Sequence, residues 1–405
     1  MPHNASDTEF PKFFTTEAIG GMLLLAAAVL AMVLKNSAYG DAYAQFLGTP
    51  ISISIGALDG AFDINKPLLL WVNDGLMAIF FFMIGMEVKQ EILVGQLSDP
   101  RQTILPLVAG MGGIVVPAGL YYLVAADNPI TLQGWAIPTA TDIAFALGIL
   151  ALVGRGVPLA LKLFLMTLAI IDDIGAIMII AFFFTSKLSL LAMSVAFGSV
   201  VALLIMKAKK VMRLGPYIFV GLILWASVLK SGVHATLAGV ILGFFIPMGP
   251  REEERASESP LRMLLHEVHP WAAFFILPLF AFANAGVSFE GMEFSYLLSG
   301  VPLAIMVGLF VGKQVGVFGF TWFAIKSGIA TLPKNVNWGQ IYGVALLCGV
   351  GFTMSLFIGS LAFEEGGALG TSRPDRLGII AGSLLSGVTG FIVLKLCTPK
   401  EPLPE

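Results

Sequence analysis

Charge is scarce in this sequence. Of its 405 residues, 12% are Asp, Glu, Lys or Arg, about half the ~25% usual in a soluble domain. Hydrophobic residues make up 57%, more than a soluble core can shelter, so lipid is the solvent this composition implies. The net charge of −3 offers no basic surface and argues against nucleic acid as a partner. Cysteine is nearly absent. Cys348 lies in a late apolar segment and Cys397 near the C-terminus, which makes neither a disulfide framework nor a metal cluster. The opening residues, MPHNASDTEFPKFFTTEA, are acidic and lack a basic leader region, so the first apolar stretch reads as a true span and not as a cleaved signal. The many Phe and Met residues read as lipid-facing or packing side chains, and no cofactor motif accompanies them.

A helix that crosses a membrane needs about 20 largely apolar residues. Twelve segments answer that description, near 18–34, 67–88, 103–124, 135–153, 159–185, 189–206, 216–229, 231–247, 271–286, 302–325, 340–361 and 377–394. The seventh is short and meets the eighth almost directly at Lys230-Ser231-Gly232. The chain therefore reads as one all-α integral membrane domain over 1–405. Between the first two spans, Ile51-Ser52-Ile53-Ser54-Ile55 alternates strictly and runs into Gly56-Ala57-Leu58-Asp59-Gly60. That pattern predicts a short β-hairpin over about 50–64, lying on the membrane surface in the first periplasmic loop. The one strongly polar stretch, 249–260 with Arg251-Glu252-Glu253-Glu254-Arg255, predicts a solvated loop.

Loop cations set orientation. With twelve spans both termini share a side, and that side holds 15 of the 23 Lys and Arg residues against 6 opposite, which predicts cytoplasmic termini. Span 3 then runs outward and span 10 inward, so triplets 3–5 (about 103–185) and 10–12 (about 302–394) form candidate inverted repeats. Each has an interruption in its middle member. Span 4 carries Ile137-Pro138-Thr139-Ala140-Thr141-Asp142, and span 11 carries Cys348-Gly349-Val350-Gly351-Phe352-Thr353. Pro138 removes a backbone donor, and Gly349 and Gly351 loosen the helix. Paired interruptions in two halves point to a transport site at mid-membrane, a rule drawn partly from the family named below.

A charge at the centre of a span costs about 2.5–3.5 kcal/mol on insertion scales, so each is a functional hypothesis. Those inside spans are Asp74, Asp142, Lys162, Asp172, Asp173 and Lys313, with Glu87 at a helix end and His234 in the eighth span. Asp172 and Asp173 fall at the midplane of span 5. As helix neighbours they point ~100° apart and can line one cavity from two directions. Two nearby carboxylates repel when both are ionised, so protons and a cation such as Na+ compete for the same oxygens. Lys313 lies ~16 Å from either interface at 1.5 Å per residue, beyond the reach of its stem, so it must meet a carboxylate or helix C-terminal carbonyls. Asp172 is the first choice. Asp142 would offset the positive ends of two crossed broken helices and Lys313 the negative ends. Glu87, Lys89 and Glu91 read as a solvated helix end, Asp74 as a functional or merely interfacial residue nearer the outer entrance of span 2 than its middle, and His234 as a packed residue.

These residues resemble the NhaA sodium/proton antiporters of bacterial inner membranes. Ala169-Ile170-Ile171-Asp172-Asp173-Ile174-Gly175-Ala176 is similar to the family's double-aspartate segment, and 135–148 to its broken fourth helix. Residues 229–239 and 348–355 resemble later signatures, and the similarity runs from about 17 to 395. The resemblance implies twelve helices with inverted repeats and crossed broken helices. It implies Asp173 as main cation ligand, with Asp172 and Thr141 beside it, and Lys313 paired with Asp172 until protonation releases it. It also implies Asp142 as charge balance, Glu87, Glu91 and His234 in the pH response, and a homodimer joined through the hairpin. Members exchange internal Na+ or Li+ for external H+ electrogenically at alkaline pH. Two departures stand out. Gln90 occupies a place where the family pattern has arginine, and Leu265 one where it has an acidic residue. Both predict a shifted pH profile with the core site intact.

Three other classes fit less well. An intramembrane aspartyl protease needs two aspartates on separate helices, yet there is no Gly-x-Gly-Asp segment here and Lys313 has no place in it. A sodium-coupled organic solute symporter needs more hydrogen-bonding side chains than spans 4, 5 and 10 offer. A channel needs a repeated filter sequence. The reading is a transporter and not an enzyme.

Overall fold

The structure, a computed structural model, describes residues 6–54, 63–126, 128–154, 156–184, 189–249, 259–290, 294–363 and 373–399, with side chains from residue 19 on except at 54 and 63. It is built almost wholly of helices. In chain order they are α1 (Ser6–Lys35), α2 (Gly40–Gly48), α3 (Leu68–Val94), α4 (Pro100–Ala125), α5 (Pro129–Thr139), α6 (Ile143–Val153), α7 (Leu159–Phe183), α8 (Leu190–Ala208), α9 (Leu214–Ser231), α10 (Thr236–Phe245), α11 (Pro260–Asn284), α12 (Gly300–Lys326), α13 (Trp338–Leu347), α14 (Phe352–Ala362) and α15 (Pro374–Cys397). Helix starts follow local chemistry. Asp99 accepts from the Arg101 N–H ahead of Pro100, Ser189 from the Ala192 N–H, and Asn337 forms a capping box with Gln340, each satisfying donors that a first turn leaves open.

Among the described residues, eight helices are long and apolar enough to cross a membrane, and up to eleven spans result if each of three bent pairs is one crossing. The eighth expected span, 231–247, is not of that length. α10 has 10 residues, about 15 Å at 1.5 Å per residue and half of a ~30 Å hydrocarbon core. Gly232 stops α9 in a left-handed conformation (φ 89°), a turn consumes the residues up to Ala235, and Ile246 is already extended ahead of Pro247. Apolar composition alone concealed those breaks.

The hairpin is present. β1 (Pro50–Ser54) pairs antiparallel with β2 (Asp63–Pro67), with Ile53 opposite Ile64. The second strand runs to Pro67, three residues past its expected end, and leads straight into α3. The expected turn falls at 55–62, outside the described residues, as does most of the polar 249–260 loop.

The chain forms two compact units, one of 1–23, 91–180 and 291–405, the other of 24–90 and 181–290. In the second, glycines let α3 and α10 meet backbone to backbone. A Cβ on Gly85 would stand 2.6 Å from the Val240 carbonyl oxygen, and one on Gly239 would run into the Ala78 carbonyl. Lys89, expected in solvent, is buried and its Nζ donates to the Ile246 carbonyl at the end of α10. The orphan carbonyls of a helix C-terminus attract a cation, and the long stem delivers one. Asn73 and Asn284 exchange amide hydrogen bonds of 3.2 and 2.7 Å. Asp74, within a π-wound turn at Val72–Leu76, pairs with Lys66 at 2.6 Å.

In the first unit both interrupted spans are broken where expected. α5 and α6 bend by 46° about residues 140–142, and α13 and α14 by 40° about 348–351. The breaks meet each other. The Asp142 N–H donates to the Val350 carbonyl at 2.7 Å, and Ser355 Oγ to the Ile137 carbonyl at 2.8 Å. Asp142 caps two helices at once. Its Oδ1 accepts from the Phe145 N–H of α6 at 3.0 Å, and its Oδ2 from the Thr353 N–H at 3.0 Å and Thr353 Oγ1 at 2.6 Å in α14. Arg373 and Arg376, expected in a loop, are buried at the start of α15, where Arg373 forms a two-pronged pair with Asp375.

Two stability series follow. Gly239→Ala is expected to cost about 1–3 kcal/mol by overpacking, lowering the melting temperature in detergent. Gly198→Ala, with no atom near the added methyl, leaves it unchanged or slightly raised. At the breaks, Thr353→Val removes one hydrogen bond and costs about 1 kcal/mol. Asp142→Ala uncaps two helices and costs about 2–4 kcal/mol, so the melting order is native, then Thr353→Val, then Asp142→Ala.

Candidate functional site

Between the two breaks and the middle of α7 lies a cluster of buried polar groups. Asp172, Asp173, Thr141, Asp142, Thr353 and Lys313 are each at most 4% exposed. Lys313 Nζ lies 2.6 Å from Asp172 Oδ2 with both side chains fully buried. The same ammonium donates to the Thr139 carbonyl at 2.6 Å and to Thr141 Oγ1 at 3.1 Å. Its three protons thus go to a carboxylate, a hydroxyl and a carbonyl at the end of α5, which accounts for all its donors. Thr141 Oγ1 is 2.6 Å from Asp172 Oδ2 and 2.9 Å from the Cys348 carbonyl at the end of α13. With one proton it donates to one of these at a time.

The arrangement follows from local structure. α7 is regular, so Asp172 and Asp173 diverge as helix neighbours do. α12 carries two π-wound stretches, Gly308–Gly312 and Gln314–Phe318, on either side of Lys313. α4 closes the site with glycine. A Cβ on Gly113 would stand 3.5 Å from Lys313 Nζ and 3.7 Å from Asp172 Oδ1, and one on Gly110 3.5 Å from that oxygen. Oδ1 of Asp172 is buried with no hydrogen-bond partner among the described residues, while Oδ2 is held by Lys313 and Thr141.

Most of the residues singled out from the sequence converge. Asp172, Lys313 and Thr141 bond directly, Asp173 adjoins Asp172 on α7, and Asp142 joins the two breaks beside Thr141. Pro138, Gly349 and Gly351 fall at the breaks; a Cβ on Gly351 would meet the Ala140 carbonyl at 3.0 Å. Glu91 instead accepts from the Gln96 N–H at 2.8 Å just past α3. Glu87 and His234 belong to the second unit, His234 in the turn before α10. Gln90 and Leu265 are both half-buried, and Leu265 packs on the apolar cluster around Tyr217 and Leu224. Sequence reasoning assigned no role to Gly110, Gly113 or the Thr353 hydroxyl. The run Gly110-Met111-Gly112-Gly113 in a spanning helix was the available signal for the first two, since small residues allow close approach in lipid.

A family model described as Na+/H+ antiporter 1 matches residues 11–394. The chain is 56% identical over 384 residues to the Na(+)/H(+) antiporter NhaA of Pseudomonas fluorescens, covering 95% of both chains. It is 55% identical over 396 residues to NhaA 2 of Magnetococcus marinus, covering 96% of this chain and 98% of that one. It is 53% identical over 392 residues to NhaA of Aeromonas salmonicida, covering 97% of each. A multi-span membrane protein with this buried cluster and these relatives, the chain belongs to the Na+/H+ antiporter 1 family.

Proposed function

We propose that the chain exchanges Na+ or Li+ for H+ across the bacterial inner membrane, electrogenically, with cation and protons competing at Asp172 and Asp173. The observation that carries this is the buried Lys313–Asp172 pair placed where two helix breaks meet. Asp172 already has its charge balanced by Lys313, and Asp173 lies next to it. A cation entering at Asp173 and the open oxygen of Asp172 must displace the ammonium of Lys313. The displaced lysine, no longer paired in a low-dielectric site, sheds its proton, because an uncompensated buried charge is costly. Cation binding thus expels one proton from Asp173 and one from Lys313, and the exchange moves net charge. Raising the pH removes both competitors and favours the cation, which accounts for alkaline activation. The breaks supply a pivot: α5/α6 and α13/α14 cross at Asp142 and belong to two inverted repeats, about 103–185 and 302–394. Their rocking exposes the site to one side at a time.

The finer placement rests on chain chemistry. The cation excess on one side supports cytoplasmic termini, with α10 and its preceding turn completing an even number of crossings. The exposed Ile51 and Ile53 on a two-stranded sheet support the hairpin as the joint of a homodimer, since unpaired strand edges recruit another strand. Glu87, Glu91 and His234 tune the pH response from outside the cluster. A solute symporter gains nothing from these relatives, all of which are named as antiporters.

The decisive experiment is Na+-induced proton movement in proteoliposomes between roughly pH 6 and 9, where carboxylate and lysine competition is read directly. Na+ should dissipate an imposed pH gradient with the native chain and not with Asp173→Asn. Equal proton movement by both would remove Asp173 from the site. In the competition range the apparent KM for Na+ should fall by about a hundredfold per pH unit when two protons compete, and by about tenfold in Lys313→Gln, which leaves one. Lys313→Gln should also be electroneutral, and retained charge movement would sink the lysine as proton carrier.

A further inference from the structure

Lys313 sits in an unusual piece of helix. π winding is rare and concentrates at functional sites, and here two π stretches flank one residue. In the first, the Lys313 N–H donates five residues back to the Gly308 carbonyl. Side chains then take part in the winding. Gln314 Nε2 donates to the Phe310 carbonyl at 2.6 Å, and Gln314 Oε1 accepts from Tyr342 Oη at 2.7 Å. Tyr342 belongs to α13, the first half of the broken eleventh span. The Phe318 ring meets Tyr342 edge-on at 5.5 Å and Trp338 at 5.9 Å, bracing the same junction. Tyr342 is 37% exposed.

We propose that Gln314 and Tyr342 form a positioning relay for Lys313. The relay fixes the winding of α12 on both sides of the lysine, ties it to α13, and so sets how firmly Lys313 holds Asp172. This rests on the exchange reading above, in which a cation must displace that lysine. Around Lys313 stand Asp172 and Asp173 on α7, Thr141 and Asp142 at the α5/α6 break and Cys348 at the α13/α14 break, while α4 presents Gly110 and Gly113. The relay touches none of these groups directly. It acts through the backbone that carries the lysine. Loosening it weakens the lysine's hold on Asp172, so the cation displaces it more easily. That sign is opposite to ordinary damage to a binding site.

The test uses the full-length protein in proteoliposomes, with Tyr342→Phe, Gln314→Leu and the double variant. Tyr342→Phe removes a single oxygen and keeps the ring contacts. The apparent KM for Na+ at fixed pH falls about two- to threefold, with maximal rate retained and the double variant no further shifted than either single. A pair that is only structural leaves KM unchanged. An unchanged or raised KM, a change in maximal rate alone, or shifts that add would each overturn the relay. Asp173→Asn run alongside separates the two ideas. Exchange that survives in that variant fails the site reading itself. A native KM in the pair variants with Asp173→Asn inactive fails the relay only.

Discussion

An ion pair closed off from water at the middle of a membrane domain is the constraint the rest of this structure answers to. Removing one partner of such a pair strands the other charge and costs about 3–5 kcal/mol, so Lys313 and Asp172 have to arrive together. They come from α12 and α7, far apart in sequence, and each element nearby is shaped to let them meet. α4 gives up side chains at Gly110 and Gly113. α5 ends so that the Thr139 carbonyl faces the ammonium. The Thr141 hydroxyl fills the remaining space between lysine, carboxylate and the end of α13. A regular helix at any of these positions would put a side chain or a satisfied backbone where the pair needs room or a partner.

The two breaks solve an electrostatic problem as well as a steric one. Cutting a helix in mid-membrane exposes N–H groups at one new end and carbonyls at the other, with partial charges of about half a unit each. Here the two new N-termini share one carboxylate, Asp142, and two new C-termini face Lys313 and the Thr141 hydroxyl. The site is thus a small array of whole and partial charges of alternating sign. On the proposed exchange, charge entering or leaving it as proton or cation is balanced locally.

Much of this was legible in the sequence because lipid penalises the same things the eye can find. Asp142, Asp172, Asp173 and Lys313 stood out as charges in apolar spans, and Pro138 and the glycines at 349 and 351 marked the breaks. Strict alternation marked the first strand. What stayed hidden was set by contacts that composition does not encode. The largely apolar segment 231–247 looked like a span, yet the left-handed Gly232 and the turn after it leave only a half-length helix. Lys89 looked solvated because it neighbours two glutamates, yet the end of α10 needed a cation. Arg373 and Arg376 looked like loop residues, yet both are buried at the start of α15, and the carboxylate that Arg373 grips, Asp375, lies only two residues on. Each miss comes from reading a residue against its chain neighbours when its partner was elsewhere or its backbone was irregular.

Exchange asks for a bridge that is fully made in one state and fully broken in another, under a difference of only a few kcal/mol. A deeply buried pair on rigid helices would meet the first demand and fail the second. The structure places the softness on the lysine side. Asp172 rides on α7, a regular 25-residue helix, while Lys313 rides on the one helix that is π-wound on both sides of its charge. Winding that already departs from the α-helix can change by a fraction of a turn at less cost than a regular helix can. On the exchange proposed above, the carboxylates hold their place for the cation and the lysine is the group that gives way.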